Sequence, residues 1–154
     1  FSVGAIDQFG NLASFSSTGP VDGADSGRIK PELVAPGVQV LSALPDDTYA
    51  ELDGTSMAGP HVAGVVALIW SANPALIGNI ERTEQILIES ARPFTGSLGS
   101  VAIPSELVDA PVNDLVEPPS DSCVAQTDTG VTPNNVAGYG AVDAYAAVKL
   151  ALEK

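Results

Sequence analysis

The sequence predicts an α/β domain organised around one buried helix. Three observations carry that prediction. Short β-favouring runs bounded by Gly, Pro and Asp precede Ser56; a nearly all-apolar helical stretch runs from Ser56 to about Ala72; an amphipathic and then an alanine-rich helical stretch follow. The size agrees, since 154 residues with a hydrophobic fraction of 45% can bury one sizeable core.

Along the chain, "FSVGAI" is a β-favouring run ending near Gly4 and Ala5, and "DQFGN" supplies a turn. "LASFSSTGP" runs into a Gly-Pro stop, and "PVDGADSGRIKPE" is a polar loop rich in Gly and Asp. A second strand is expected around Val38 to Ser42, with Pro36 and Gly37 at its entrance, where a missing N–H costs least. "PDDTYAELDGT" reads as a polar turn region leading to the serine.

From Ser56 onward Val62, Val65, Val66, Leu68 and Ile69 leave almost no polar face, so the helix is expected to be buried, with Pro60 in its first turn. Gly59 and Gly64 each cost up to ~1 kcal/mol relative to alanine in a helix, which implies close packing or a backbone approached by another group. Asn73-Pro74 ends it. A shorter helix is expected from Thr83 or a residue just before it, with Ile86, Leu87 and Ile88 inward, ending before Pro93. The stretch at about 95–136 has little periodicity, several prolines and many acids, and reads as a long acidic loop or insertion. "GYGAVDAYAAVKLALEK" then gives a Gly-rich turn, Asp143 as N-cap and a closing helix with Lys149 near its end.

Charge narrows the partners. A formal net charge of -13 repels phosphate backbones and anionic lipid headgroups, so neither nucleic acid nor a membrane surface is an expected partner. The longest apolar run, Val62 to Trp70, is about half of the ~20 residues that span a bilayer. The start at Phe1 has neither an initiator methionine nor the pattern of a signal peptide, so the chain is expected to be an internal piece of something larger. The single cysteine, Cys123, is either a free thiol or paired with a partner elsewhere.

Chemistry concentrates in "DGTSMAGPHVAG", residues 53 to 64. A serine hydroxyl is a weak nucleophile without a base to take its proton and donors to stabilise the oxyanion. At the N-terminus of an apolar helix, the Ser56 backbone N–H can serve that oxyanion, Gly54 permits a sharp approach, and Ala58 and Gly59 leave room for a substrate. Helix geometry alone leaves a second reading open, in which Thr55 or Ser56 caps the helix. His61, the only histidine, cannot be the base: five residues at about 100° each rotate it roughly 140° from Ser56. It is expected to be a packed, hydrogen-bonded residue near the first turn. A Ser-His-Asp machine would therefore have to import its histidine from outside the chain; a lysine base stays open on paper, although Lys30, Lys149 and Lys154 sit in contexts that read as solvated.

"GTSMAGPHVAG" resembles, nearly residue for residue, the serine motif of the subtilisin-like serine proteases, the subtilase family. "SVGAIDQFGNLASFSSTGP", "KPELVAPGVQV" and "GYGAVDAYAAV" resemble that family's strand and loop before the serine, its Pro-Gly strand entrance and its closing helix. The resemblance covers about residues 1–94 and 136–150. It implies the C-terminal half of one peptidase domain with a mostly parallel sheet, and a secreted serine endopeptidase in the full-length protein. Ser56 would be the nucleophile and its backbone N–H one oxyanion donor, while the triad's aspartate and histidine and the asparagine donor would lie before Phe1. His61 matches a motif position outside the triad.

The partners so implied are a peptide or protein substrate and the missing N-terminal half, with self-association of the isolated piece through its uncovered apolar face as a further expectation. No cofactor or metal ligand is assigned within the chain, and structural calcium is left open for the full-length protein. Glu32 matches a position where some subtilases supply a carboxylate to a weak cation site, but reads more simply as a solvated carboxylate. The acids Asp109, Asp114, Glu117, Asp121 and Asp128 lack calcium-loop spacing and read as a solvated face. Trp70 and Tyr139 read as core residues. The competing function is a non-catalytic binding or structural module derived from a protease half.

Overall fold

The computed structural model describes residues 1–21, 27–97 and 132–153. Two parallel strands, β1 (Val3–Ile6) and β2 (Leu33–Pro36), pair from Val3 opposite Leu33 to Ile6 opposite Pro36. On the other edge of β2, the Val34 N–H donates to Gly140 O and the Val142 N–H to Val34 O, both at 3.0 Å, which adds a parallel bridge to Ala141. Leu33, Val34 and Ala35 are fully buried, as expected of a parallel strand covered on both faces.

The sequence reading missed this strand; the strand it expected around Val38 to Ser42 is present two residues later, as the third in the chain. "LVAP" is too short, and too continuously apolar, to show the alternation by which half-buried strands are recognised. The residues beyond it form β3 (Val40–Leu44), which pairs antiparallel with β4 (Thr48–Leu52) across the stretch read as a polar turn. Asp46 and Asp47 turn the hairpin at φ 63° and 54°, a left-handed region that Asp tolerates better than most residues. The expected turn after β1 is present, with Asp7 Oδ1 accepting the N–H groups of Phe9 and Asn11 at 2.8 Å.

Helix α1 (Thr55–Ala72) packs on β1, β2 and a later helix, α3 (Ala144–Leu152). Its buried residues, Ala58, Val62, Val65 and Ile69, form one stripe at helical spacing. The opposite side, including Ala63, Gly64, Ala67 and Leu68, is exposed, and a Cβ added at Gly59 or Gly64 would meet nothing within 4 Å. The expected buried helix is present along the side that faces β1, β2 and α3, and its other side is an uncovered apolar face. An all-apolar composition suits a helix enclosed on every side, and the described residues enclose one side of it.

A single 3-10 turn (Pro74–Leu76) leads to α2 (Ile80–Glu89), which starts before Thr83 because Asn79 caps it, its side chain accepting the Arg82 N–H at 3.2 Å. Thr83 lies inside α2, buried, its hydroxyl donating to Asn79 O at 2.7 Å and accepting the Trp70 indole N–H at 3.0 Å. Ile86 and Leu87 face inward as expected. The predicted cap of α3 is present: Asp143 Oδ1 accepts the Ala146 N–H at 2.9 Å, and Oδ2 lies 3.2 Å from Arg92 Nε. Asn73 ties α1 to α3 by donating to Ala151 O at 2.9 Å. Tyr139 is exposed rather than in the core. No described helix is long and apolar enough to cross a membrane. Most of the acidic stretch at 95–136, with Cys123, Asp109, Asp114, Glu117, Asp121 and Asp128, lies outside the described residues, as does Lys154.

Candidate active site

The serine turn sits just past the C-terminal ends of the parallel strands, the edge at which open α/β sheets bind ligands. Gly37, the residue after β2, fixes it there. The Gly37 N–H donates to Ile6 O at 2.9 Å, and Gly37 O accepts the Gly54 N–H at 2.8 Å, so the serine turn hangs directly from the sheet. A Cβ at Gly37 would lie 2.6 Å from Ala5 Cβ and 2.8 Å from Gly54 O, which explains why this position carries no side chain. A second tie runs from the Gln39 N–H to Asp53 Oδ1 at 2.6 Å. Neither Gly37 nor Asp53 was singled out from the sequence as part of the site, although the Pro36-Gly37 pair marked a special backbone position there.

Gly54 is the N-cap of α1 and no side chain caps the helix, which removes the reading of Thr55 or Ser56 as a cap. Ser56 is the second helical residue and is exposed. Gly54 O accepts the N–H groups of Met57 and Ala58 at 3.0 and 3.3 Å, while the Ser56 N–H and Oγ have no hydrogen-bond partner among the described residues. The nucleophile candidate and one oxyanion donor are thus both free, at the positive end of an 18-residue helix.

His61 does not pair with Ser56. Its Nδ1 lies 2.9 Å from Met57 O, and since a carbonyl only accepts, Nδ1 is the protonated nitrogen. The hydrogen-bonded state expected for His61 is observed, but the ring is exposed rather than packed. Ser56 and His61 line the same cavity of about 310 Å³, together with Val40, Leu41, Ser42, Met57 and Pro60. The hollow brings them near without joining them, so no described residue acts as base to Ser56.

Glu32 is not solvated, and this too is a correction. Its Oε2 accepts from the Ser2 N–H at 2.6 Å and the Ser2 hydroxyl at 2.9 Å, and its Oε1 pairs with the Lys30 ammonium, so Lys30 is likewise engaged. Burial alone would raise the Glu32 pKa; Lys30 and Ser2 outweigh it and hold the carboxyl at about 2, against an ordinary 4.5. A carboxylate whose folded pKa is depressed stabilises the fold above its unfolded value, and that contribution is lost as pH falls from about 4.5 towards 2. Glu32→Gln is therefore expected to flatten the acid limb of a thermal-stability profile. Solvent screening limits the difference at neutral pH to about 1 kcal/mol, and parallel wild-type and variant profiles between pH 2 and 7 would contradict this assignment. Among the described residues no three His, Cys, Asp or Glu side chains gather to hold a metal.

The comparisons extend well beyond the motif. The subtilase (peptidase S8) family model matches residues 1–141. Bacillopeptidase F of Bacillus subtilis (strain 168) is 46% identical over 98 residues, 63% of this chain and 6% of that protein. Subtilisin DY of Bacillus licheniformis is 51% identical over 75 residues, 49% of this chain and 24% of that protein. Among solved structures, the Clostridium perfringens CspB protease superposes with a TM-score of 0.62 at 27% identity, covering 99% of this chain and 27% of its own. A protease of Pseudoalteromonas arctica PAMC 21717 superposes at 0.60 and 25% identity, covering 97% and 35%. The matches span a quarter or less of the length of these curated relatives. With an α/β core, parallel strands and a free serine at a helix N-terminus, all inside a family match over residues 1–141, the chain belongs to the subtilase family of serine proteases.

Proposed function

We propose that this chain supplies the nucleophile of a subtilisin-type serine endopeptidase whose base, orienting acid and second oxyanion donor come from polypeptide outside it. The observation that carries the reading is the state of Ser56: exposed, uncapped, its N–H unengaged, at the carboxyl edge of a parallel sheet, with no base among the described residues. In the complete site a histidine takes the Ser56 proton as Oγ attacks the peptide carbonyl, and the Ser56 N–H stabilises the oxyanion. The same histidine returns the proton to the leaving amine, and water then hydrolyses the acyl-enzyme. The cavity beside Ser56 leaves room for the imported imidazole. The bare side of α1 provides an apolar surface for the rest of the domain, and in the isolated chain it favours self-association, which a solution mass would reveal. A secreted location and a peptide or protein substrate follow from the same reading.

A fluorophosphonate probe tests it. The full-length protein is expected to be labelled at Ser56, and the isolated 154 residues are expected to remain unlabelled and without peptidase activity. Labelling or turnover by the isolated chain would defeat the claim that the base lies elsewhere. An unlabelled full-length protein would favour the competing reading, a non-catalytic module built from a protease half.

A further inference from the structure

The dipeptide Asp53-Gly54 joins β4 to the nucleophile helix, and its two reactive groups are both held by the segment that enters β3. Gln39 N–H donates to Asp53 Oδ1 at 2.6 Å, and Gly54 N–H donates to Gly37 O at 2.8 Å. We propose that Asp53-Gly54 is a spontaneous isomerisation site that ages the serine turn, gated by opening of the β3–β4 hairpin. Asp53 is exposed, and Gly54 has no side chain to shield its nitrogen.

When the two hydrogen bonds part, the Gly54 nitrogen attacks Asp53 Cγ. The Asp53 carboxylate takes a proton from solvent, a new C–N bond closes a five-membered succinimide as the C–OH bond breaks, and the departing hydroxyl leaves with the amide proton as water. A second water reopens the ring. Attack at the former main-chain carbonyl routes the chain through the side-chain carbon and yields isoaspartate with no net change in mass. The backbone gains one methylene at position 53, three residues before Ser56, and loses the geometry that hangs the turn from Gly37. The native hydrogen bonds oppose the reaction, because the Gly54 N–H is engaged and the carboxylate is pinned away from it.

The gate is a weak one. Among the described strands β3 and β4 pair only with each other, and Leu41 and Tyr49 on the hairpin are 65% and 71% exposed. A two-stranded hairpin of this kind has little stability of its own and opens well below the free energy of global unfolding. Gln39, next to the first residue of β3, is released with the hairpin, whereas Gly37, whose own N–H is held by Ile6 O, lets go of the Gly54 N–H only when the opening spreads back to the entrance of the strand.

The test is peptide mapping of the purified protein held at neutral pH and 37 °C. Isoaspartate is scored as a mass-neutral chromatographic shift and as methyl transfer by an isoaspartyl methyltransferase. Isomer at position 53 is expected to accumulate in the folded protein more slowly than in urea-unfolded chain. Ala43→Gly with Ala50→Gly, which loosens both strands, is expected to speed it about tenfold, and Asp53→Glu to stop it, since the larger ring closes poorly. If the double variant does not fold, the unsubstituted protein in rising urea replaces it, and the rate must climb before the global transition begins. The proposal falls if isomer forms at Asp22-Gly23 but not at Asp53-Gly54 in the same molecules, or if the rate stays flat until global unfolding. The effect on activity rests on the role proposed for Ser56, whereas the mapping does not. Isomerised full-length protein that still reacts with the fluorophosphonate probe would overturn the ageing of the serine turn.

Discussion

In the full-length protein Ser56→Ala is expected to abolish peptide hydrolysis and leave the fold unchanged. Ser56 Oγ is exposed and bonds to no described residue, so its removal leaves no buried group unpaired. Alanine is also the best helix former at an exposed helical position. Stability should therefore stay within about 0.5 kcal/mol. Activity should fall by about 10⁶ in kcat, a scale taken from nucleophile removal in subtilisin, a relative of this chain, and not from the present geometry. Steady-state turnover of a chromogenic peptide beside a thermal melt separates the two. A variant that keeps activity within tenfold of the parent would remove Ser56 from the mechanism, and one that loses its fold would make the loss uninterpretable as catalysis.

Gly37→Ala is expected to damage both stability and catalysis, through one methyl group. Its Cβ would be placed 2.6 Å from Ala5 Cβ on one side and 2.8 Å from Gly54 O on the other, so either β1 or the serine turn must move. Both neighbours are constrained, Ala5 by complete burial and Gly54 by its hydrogen bond to Gly37 itself. Overpacking of this kind costs about 1–3 kcal/mol. A shift of about 1 Å in the nucleophile can lower the rate by about 10²-fold. Denaturant titration and kcat/KM measured on the same preparation check both effects. Unchanged values in the two assays would mean that the close approach at Gly37 is not the structural tie described here.

The parts of the site visible in the sequence are those whose local pattern determines their geometry. Ser56 could be placed at a helix start because the apolar run after it is long and Pro60 falls where a helix tolerates it, and the helical rotation separated His61 from it without coordinates. Asp143 was readable as a cap for the same reason, being a short polar side chain one residue before a helical run. What escaped depends on pairing across distance. The strand at Leu33–Pro36 owes its existence to β1 and to Ala141, neither of which leaves a mark on "LVAP". Glu32 looked solvated because nothing near it in sequence announces Ser2, thirty residues away, as its donor. An uncovered apolar face was to be expected, but its place on α1 was not legible, because an all-apolar helix marks no side as the outer one.

The bridge between Val34 and Ala141, and the packing of α3 on α1, also set an order in time. A ribosome releases the nucleophile helix long before the residues that complete its sheet and brace its flank. Contacts of such sequence separation form slowly, and domains fold as their last elements become available. During synthesis, then, the serine turn waits for the stretch around Ala141 before the outer edge of β2 is paired. Assembly of this edge of the sheet is thereby coupled to synthesis of the stretch around Ala141, and a product truncated before it would carry the full serine motif on an unfinished scaffold.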